Sequence, residues 1–282
     1  IAAARLAELH TAGLLNGIWV PPQEVRELRA LIAQRAKMVK LATQAKNRLH
    51  AVLHRYHLAP PDGDPFSAAQ RDWWLHLDLT PTEQVRIHCD LTTLDCAQTQ
   101  CAHIETLLKA LAAQDERVPF LVQLPGVGLL TAMTLLAAIG QISRFPSAKH
   151  LVGYAGLGAR LHDSGQTTRH GRITKAGRRD LRSALVEAAH SAASTHPHWR
   201  AELARLEPRL GYNKAIVAIA RKLLVSVWHV LSEQCVDRFA EPERLARKLF
   251  GFVVALRSAN RPDGLTAAAR THQLLTQLGC GA

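Results

Sequence analysis

The chain has 282 residues, 48% of them apolar, which is enough for one or two domains with real cores and excludes a disordered tail. Its 35 Lys and Arg outnumber 23 Asp and Glu, and the net charge of +12 calls for a polyanionic partner. Aromatic content of only 5%, with abundant Ala and Leu, favours helices over sheets.

Residues 1–15 read as the tail of a helix from an upstream segment, and Pro21-Pro22 opens a new helix, because proline fits a first turn. From Gln23 to about His57, Val25, Leu28, Ile32, Arg35, Val39, Ala42, Lys46, Leu49, Leu53 and Tyr56 follow 3-4 spacing. That is a coiled-coil seam with two charged interruptions. Burying Arg35 and Lys46 unpaired is costly, which predicts a homo-oligomer in which they snorkel or face acids such as Glu105 or Asp90. Pro60-Pro61-Asp62-Gly63-Asp64-Pro65 is a turn cluster. Thr80-Pro81 then caps a second long helix to about Gln114, with Ile87, Leu91, Leu94, Cys101, Leu108 and Leu111 on one side. Two such helices pair antiparallel. His50, His54 and His57 have no acidic or Cys ligand beside them, so a nucleic-acid-facing helix is preferred to a metal site. The cysteines at 89, 96, 101, 235 and 280 form no disulfide framework, which fits a reducing cytoplasm.

Val118 to Gln234 reads as a compact basic domain; from Leu151 to Val230 thirteen Lys and Arg face five Asp and Glu. The 26 uncharged residues between Arg117 and Arg144 are broken by Pro125, Gly126 and Gly128 and are too short an apolar helix to cross a membrane. Pro125-Gly126-Val127-Gly128 predicts a helix-hairpin-helix whose second helix, starting at Gly128, aims its unpaired N–H groups at an anion. The segment 163–182 reads as a loop, with glycines at 165, 171 and 177 between Arg169, Arg172, Lys175, Arg178, Arg179 and Arg182. Six cations in that spacing make a surface for a phosphate backbone, and the two devices lie side by side in sequence. Ser164 is the candidate nucleophile within it; a serine before a glycine is otherwise a turn residue. A helix bearing Leu181, Leu185, Ala188 and Ala192 follows, then a last apolar helix from Tyr212 to Ser232 interrupted by Arg221 and Lys222. Residues 235–282 match no motif.

The series P-G-V-G, A-A-I-G, R-F-P-S-A-K, Y-A-G-L and S-G-x-x-x-x-x-G-R-I-T-K-A-G-x-x-x-L-R resembles the C-terminal domain of insertion-sequence family 110 transposases, the 110/116/902 group. The helix Arg26 to Leu53 resembles the same family's central helix, and the likeness covers about residues 1–234. The resemblance implies a DNA strand-transfer enzyme in which the serine matching Ser164 attacks a DNA phosphodiester. It also implies a structured guide RNA, for which Arg26, Arg29, Arg35, Lys37, Lys40, Lys46, Arg48 and Arg55 are suited, and Mg²⁺ held by an acidic resolvase-like domain. The last acids of that domain would precede Ile1, so no Mg²⁺ site is expected in this chain, and the chain alone is expected to be inactive. Asp163 and Gln166 depart from the family pattern. The expected fold is mainly α: a remnant and linker at 1–20, an antiparallel coiled-coil hairpin at 21–117, the helix-hairpin-helix and serine-loop domain at 118–234 and an extension at 235–282. The alternative reading is a non-catalytic module that holds duplex nucleic acid through its phosphates.

Overall fold

The computed structural model describes residues 2–15, 17–164, 167–256 and 264–280, with side chains described throughout these ranges except at 161–164 and 167–170. The fold is mainly α, as expected: among the described residues there are twelve α-helices and one two-stranded sheet.

Helix α1 (Ala2–Thr11) buries no residue. Helix α2 (Gln23–Arg55) starts directly after Pro22. After the turn cluster, the short α3 (Arg71–Leu75) seats Trp74, whose Nε1 donates to the Pro65 carbonyl at 2.7 Å. Helix α4 (Pro81–Gln114) begins as expected, with Pro81 in its first turn and the Thr80 hydroxyl accepting from the Glu83 N–H. The long helices α2 and α4 pack against each other, and Arg35–Glu105 (2.7 Å), Arg48–Asp90 (2.6 Å) and Arg55–Glu83 (2.7 Å) fix their antiparallel sense.

The seam differs from the expected one at two positions. Met38 and Ala45 are buried, whereas Val39 is 41% exposed and Lys46 lies at the flank, its ammonium 5.0 Å from the Phe66 ring. Ala112 likewise replaces Leu111 at the buried position of α4. With Arg35 paired to Glu105 inside the chain, the electrostatic reason for a second chain at this seam falls away.

The second unit is built around α5 (Arg117–Val122), α6 (Leu129–Ile139), α7 (Ala148–Tyr154), α8 (Arg179–Thr195), α9 (Pro197–Leu210) and α10 (Tyr212–Glu233). Helix α10 is long and apolar enough to cross a bilayer, but α5, α7, α8 and α9 pack on it, and Ile216, Ile219, Leu223 and Leu224 are fully buried. That surrounds it as a core helix of this unit. Met38, Ile104 and Leu108 of the long hairpin join the same apolar cluster.

The segment read as a loop is instead partly a β-hairpin. Strands β1 (Ala159–Ser164) and β2 (Thr167–Ile173) pair antiparallel, with an irregularity at Arg160. The β-branched Thr167, Thr168 and Ile173 favour strand, and the arginine-glycine content masked that preference. Beyond α10, α11 (Pro242–Ala255) and α12 (Ala267–Gln277) pack on each other, and α11 also packs on α5.

Candidate nucleic-acid interface

Ser164 ends β1 and pairs with Thr167 across the two residues Gly165 and Gln166, which lie outside the described residues. The side chains of Ser164 and Arg169 lie outside them too. Backbone register therefore puts the candidate nucleophile at the tip of the hairpin, with the Arg169 backbone opposite His162.

The base of the hairpin is locked by two glycines. A Cβ on Gly177 would collide with the Tyr154 carbonyl, and one on Gly156, at φ +67°, would meet Arg182 Nη1 at 2.9 Å and the Lys175 carbonyl carbon at 3.0 Å. This close approach lets Arg178 N–H donate to Tyr154 O (2.9 Å) and Lys175 N–H to Gly156 O (3.1 Å). The Tyr154-Ala155-Gly156 and Lys175-Ala176-Gly177 motifs thus clasp each other. Gly177 serves backbone packing here rather than the approach of a phosphate.

The five of the six cations whose side chains are described divide by what they touch. Arg178 forms a two-pronged pair with Asp180, which raises the guanidinium's pKa against the opposing effect of burial. Burial would raise the Asp180 carboxyl, but Arg178 and the Leu181 N–H outweigh it and lower its pKa. Arg182 donates to Ala155 O at 2.9 Å. Arg178 and Arg182 therefore build the clasp. Arg172, Lys175 and Arg179 are exposed and make no side-chain hydrogen bond to a described residue.

A further cationic group stands behind the clasp. The Arg144 guanidinium lies 4.0 Å over Trp19, 4.3 Å over Phe145 and 4.4 Å over Tyr154, with Nε and Nη2 buried and unpartnered among the described residues. Arg29 donates to Ala137 O (2.7 Å) and Ala138 O (2.9 Å), neutralising the carbonyl end of α6. Burial, then the neighbouring Arg178, lowers the Arg29 pKa. The R-F-P-S motif was legible in sequence, but the stacking of its Arg144 on a distant tryptophan was not.

The Pro125-Gly126-Val127-Gly128 turn does join α5 to α6, with Gly126 at φ +77°. Its open face is taken by α8: a Cβ on Gly126 would collide with the Ala188 carbonyl. Gly128 is exposed and opens α6 without a side-chain cap, so Gly128 rather than Gly126 can admit an anion. Pro125 is half-buried beside it. The two devices do not lie side by side in space. The hairpin cations lie before or in the first turn of α8, while the turn neighbours Ser191 and Thr195 at its far end, roughly 18–24 Å along the helix.

Among the described residues no three His, Cys, Asp or Glu come together in a group that could hold a metal ion. His50 instead packs edge-on against Phe66 at 4.9 Å.

Residues 119–204, which contain the turn, the clasp and the hairpin, match the Transposase IS116/IS110/IS902 family. The transposase for insertion sequence element IS1111A of Coxiella burnetii is 28% identical over 240 residues, covering 82% of this chain and 66% of that protein. The pilin gene-inverting protein of Moraxella bovis is 37% identical over 139 residues, 48% of this chain and 43% of that protein. An insertion element IS110 protein of Streptomyces coelicolor is 28% identical over 143 residues, 50% and 35% of the two chains. The chain thus spans less than two thirds of the length of these relatives. The chain is thus similar to transposases of the IS116/IS110/IS902 family, whose shared domain matches its residues 119–204.

Proposed function

We propose that this chain holds DNA and carries the nucleophile for transposition. The observation that carries the reading is the position of Ser164 at the tip of a hairpin inside the family-matched domain, with exposed Arg172, Lys175 and Arg179 on the same hairpin and its base. In the proposed step Ser164 Oγ attacks the phosphorus of a DNA phosphodiester. A serine–phosphate bond forms, the P–O bond to one deoxyribose breaks, and the leaving oxygen takes up a proton while the serine loses one. Arg172, Lys175 and Arg179 stabilise the charge that grows on the phosphate oxygens.

The test uses the complete transposase of the element. Ser164→Ala is expected to abolish an SDS-resistant, protease-sensitive protein–DNA adduct and leave duplex binding within a few fold. An adduct that survives in the variant overturns Ser164 as nucleophile.

A structured RNA is the second partner proposed. Arg29, Arg35, Lys46, Arg48 and Arg55 are engaged within the chain, which leaves Arg26, Lys37 and Lys40 exposed. At 100° per residue these three fall within about 60° of one another, a stripe about 21 Å long on the outside of α2 and suited to backbone contacts with A-form RNA. Reversing all three charges is expected to weaken binding of the element's RNA more than binding of duplex DNA; equal loss for both contradicts a dedicated RNA face.

A further inference from the structure

A cleft of about 720 Å³ lies between the Pro125–Gly128 turn, the end of α8 and the start of α11. Its wall is built from three separate stretches of chain. The turn contributes the uncapped start of α6: Ala132 N–H donates to Gly128 O at 2.8 Å, and the N–H groups of Leu129, Leu130 and Thr131 before it have no partner among the described residues. Helix α11 contributes Arg244, Arg247 and Lys248, at spacings of three and four that place them on one face. The α8–α9 junction contributes His196.

These groups are unevenly satisfied. Arg244 is held by Glu241 and by the Thr195 carbonyl at 3.0 Å. Arg247 has only the Glu243 carbonyl of its own helix, at 3.3 Å. Lys248 donates to the Leu124 carbonyl and meets no carboxylate. His196 is only 6% exposed, its Nδ1 has no hydrogen-bond partner, and its Nε2 is 3.9 Å from Glu241. Three basic side chains, the imidazole of His196 and an open helix N-terminus thus line a cleft that holds one carboxylate, Glu241. An unpartnered buried nitrogen is costly unless a ligand supplies the missing bond.

We propose that this cleft binds a backbone phosphate of duplex DNA, gripped by the first N–H groups of α6, by Arg247 and Lys248, and by His196. The site rests on the reading that this chain holds DNA. It adds that the C-terminal segment, outside the matched residues 119–204, supplies half of a second phosphate contact. The hairpin cations and the cleft then hold the DNA from opposite ends of α8.

The test is the affinity of the chain for a short DNA duplex, measured by fluorescence anisotropy across roughly 50 to 200 mM salt, where phosphate contacts dominate the response. Duplex RNA of the same length forms a second arm. Arg247→Gln, an exposed change that leaves the core intact, and Arg247→Gln with Lys248→Gln are compared with the unmodified chain, with thermal unfolding as the check on folding. Loss of one phosphate contact is expected to cut DNA affinity about tenfold in the double variant and to flatten the salt slope by about one unit. A double variant that is folded and binds DNA with an unchanged slope overturns the cleft, as does a loss confined to RNA. No salt-dependent binding by the unmodified chain is a different result, and it removes the DNA-holding reading itself.

Discussion

Lys248 is a desolvated ammonium, and burial lowers its pKa from 10.5 to about 7. Folding therefore favours its neutral form, and the unfolded chain binds the extra proton between those two values. The resulting destabilisation is full below about pH 7 and is relieved as the pH rises towards 10.5. Lys248→Gln is expected to raise stability most at or below neutral pH, with the gain fading in alkaline solution; a pH-independent difference in urea midpoints contradicts this. Glu202 has the opposite sign. Arg205, followed by Lys222, holds its pKa at about 2 against an ordinary 4.5, so its contribution is present above the ordinary value and lost as pH falls through about 2. Gly126 combines a positive φ with the Ala188 carbonyl where a Cβ would stand. Gly126→Ala is expected to cost about 2–4 kcal/mol in urea unfolding. The need for glycine at this turn was legible in the sequence, but the helix filling its open face was not, because α8 begins some fifty residues further on.

At the scale of elements, the helical hairpin was largely legible and its seam only in part. Thr80-Pro81 and Pro21-Pro22 mark helix starts by rules that act within one turn, and both starts stand where those rules put them. The interruption at Arg35 and the burial of Met38 and Ala45 in place of Val39 and Lys46 depend on α4, which local spacing cannot register. The Arg35–Glu105 pair is about one third exposed, so a double-mutant cycle is expected to return a coupling of about 1 kcal/mol or less. The β-hairpin was hidden because β1 carries one large apolar residue, Leu161, and its alternation ends after His162. The clasp that supports it depends on backbones meeting at Gly156 and Gly177. Gly177→Ala is expected to loosen the hairpin and weaken DNA binding, read as faster amide exchange from Thr174 to Arg178; unchanged exchange contradicts that role.

For the molecule as a whole, the basic excess predicted a polyanion, and the structure sorts that excess into two kinds of work. Arg29, Arg35, Arg48, Arg55, Arg178 and Arg182 hold carboxylates or carbonyls within the chain, while Arg172, Lys175 and Arg179 stay exposed at the hairpin. Composition could count these cations but could not divide them, since the division depends on partners brought together from distant parts of the chain. The measurement that tests the account most directly is the salt dependence of duplex DNA binding by the chain and by its Arg172→Gln, Lys175→Gln, Arg179→Gln triple variant. The account predicts that the variant stays folded and loses about three units of slope in log affinity against log salt. A triple variant with the original slope and affinity would show that the hairpin surface does not face DNA.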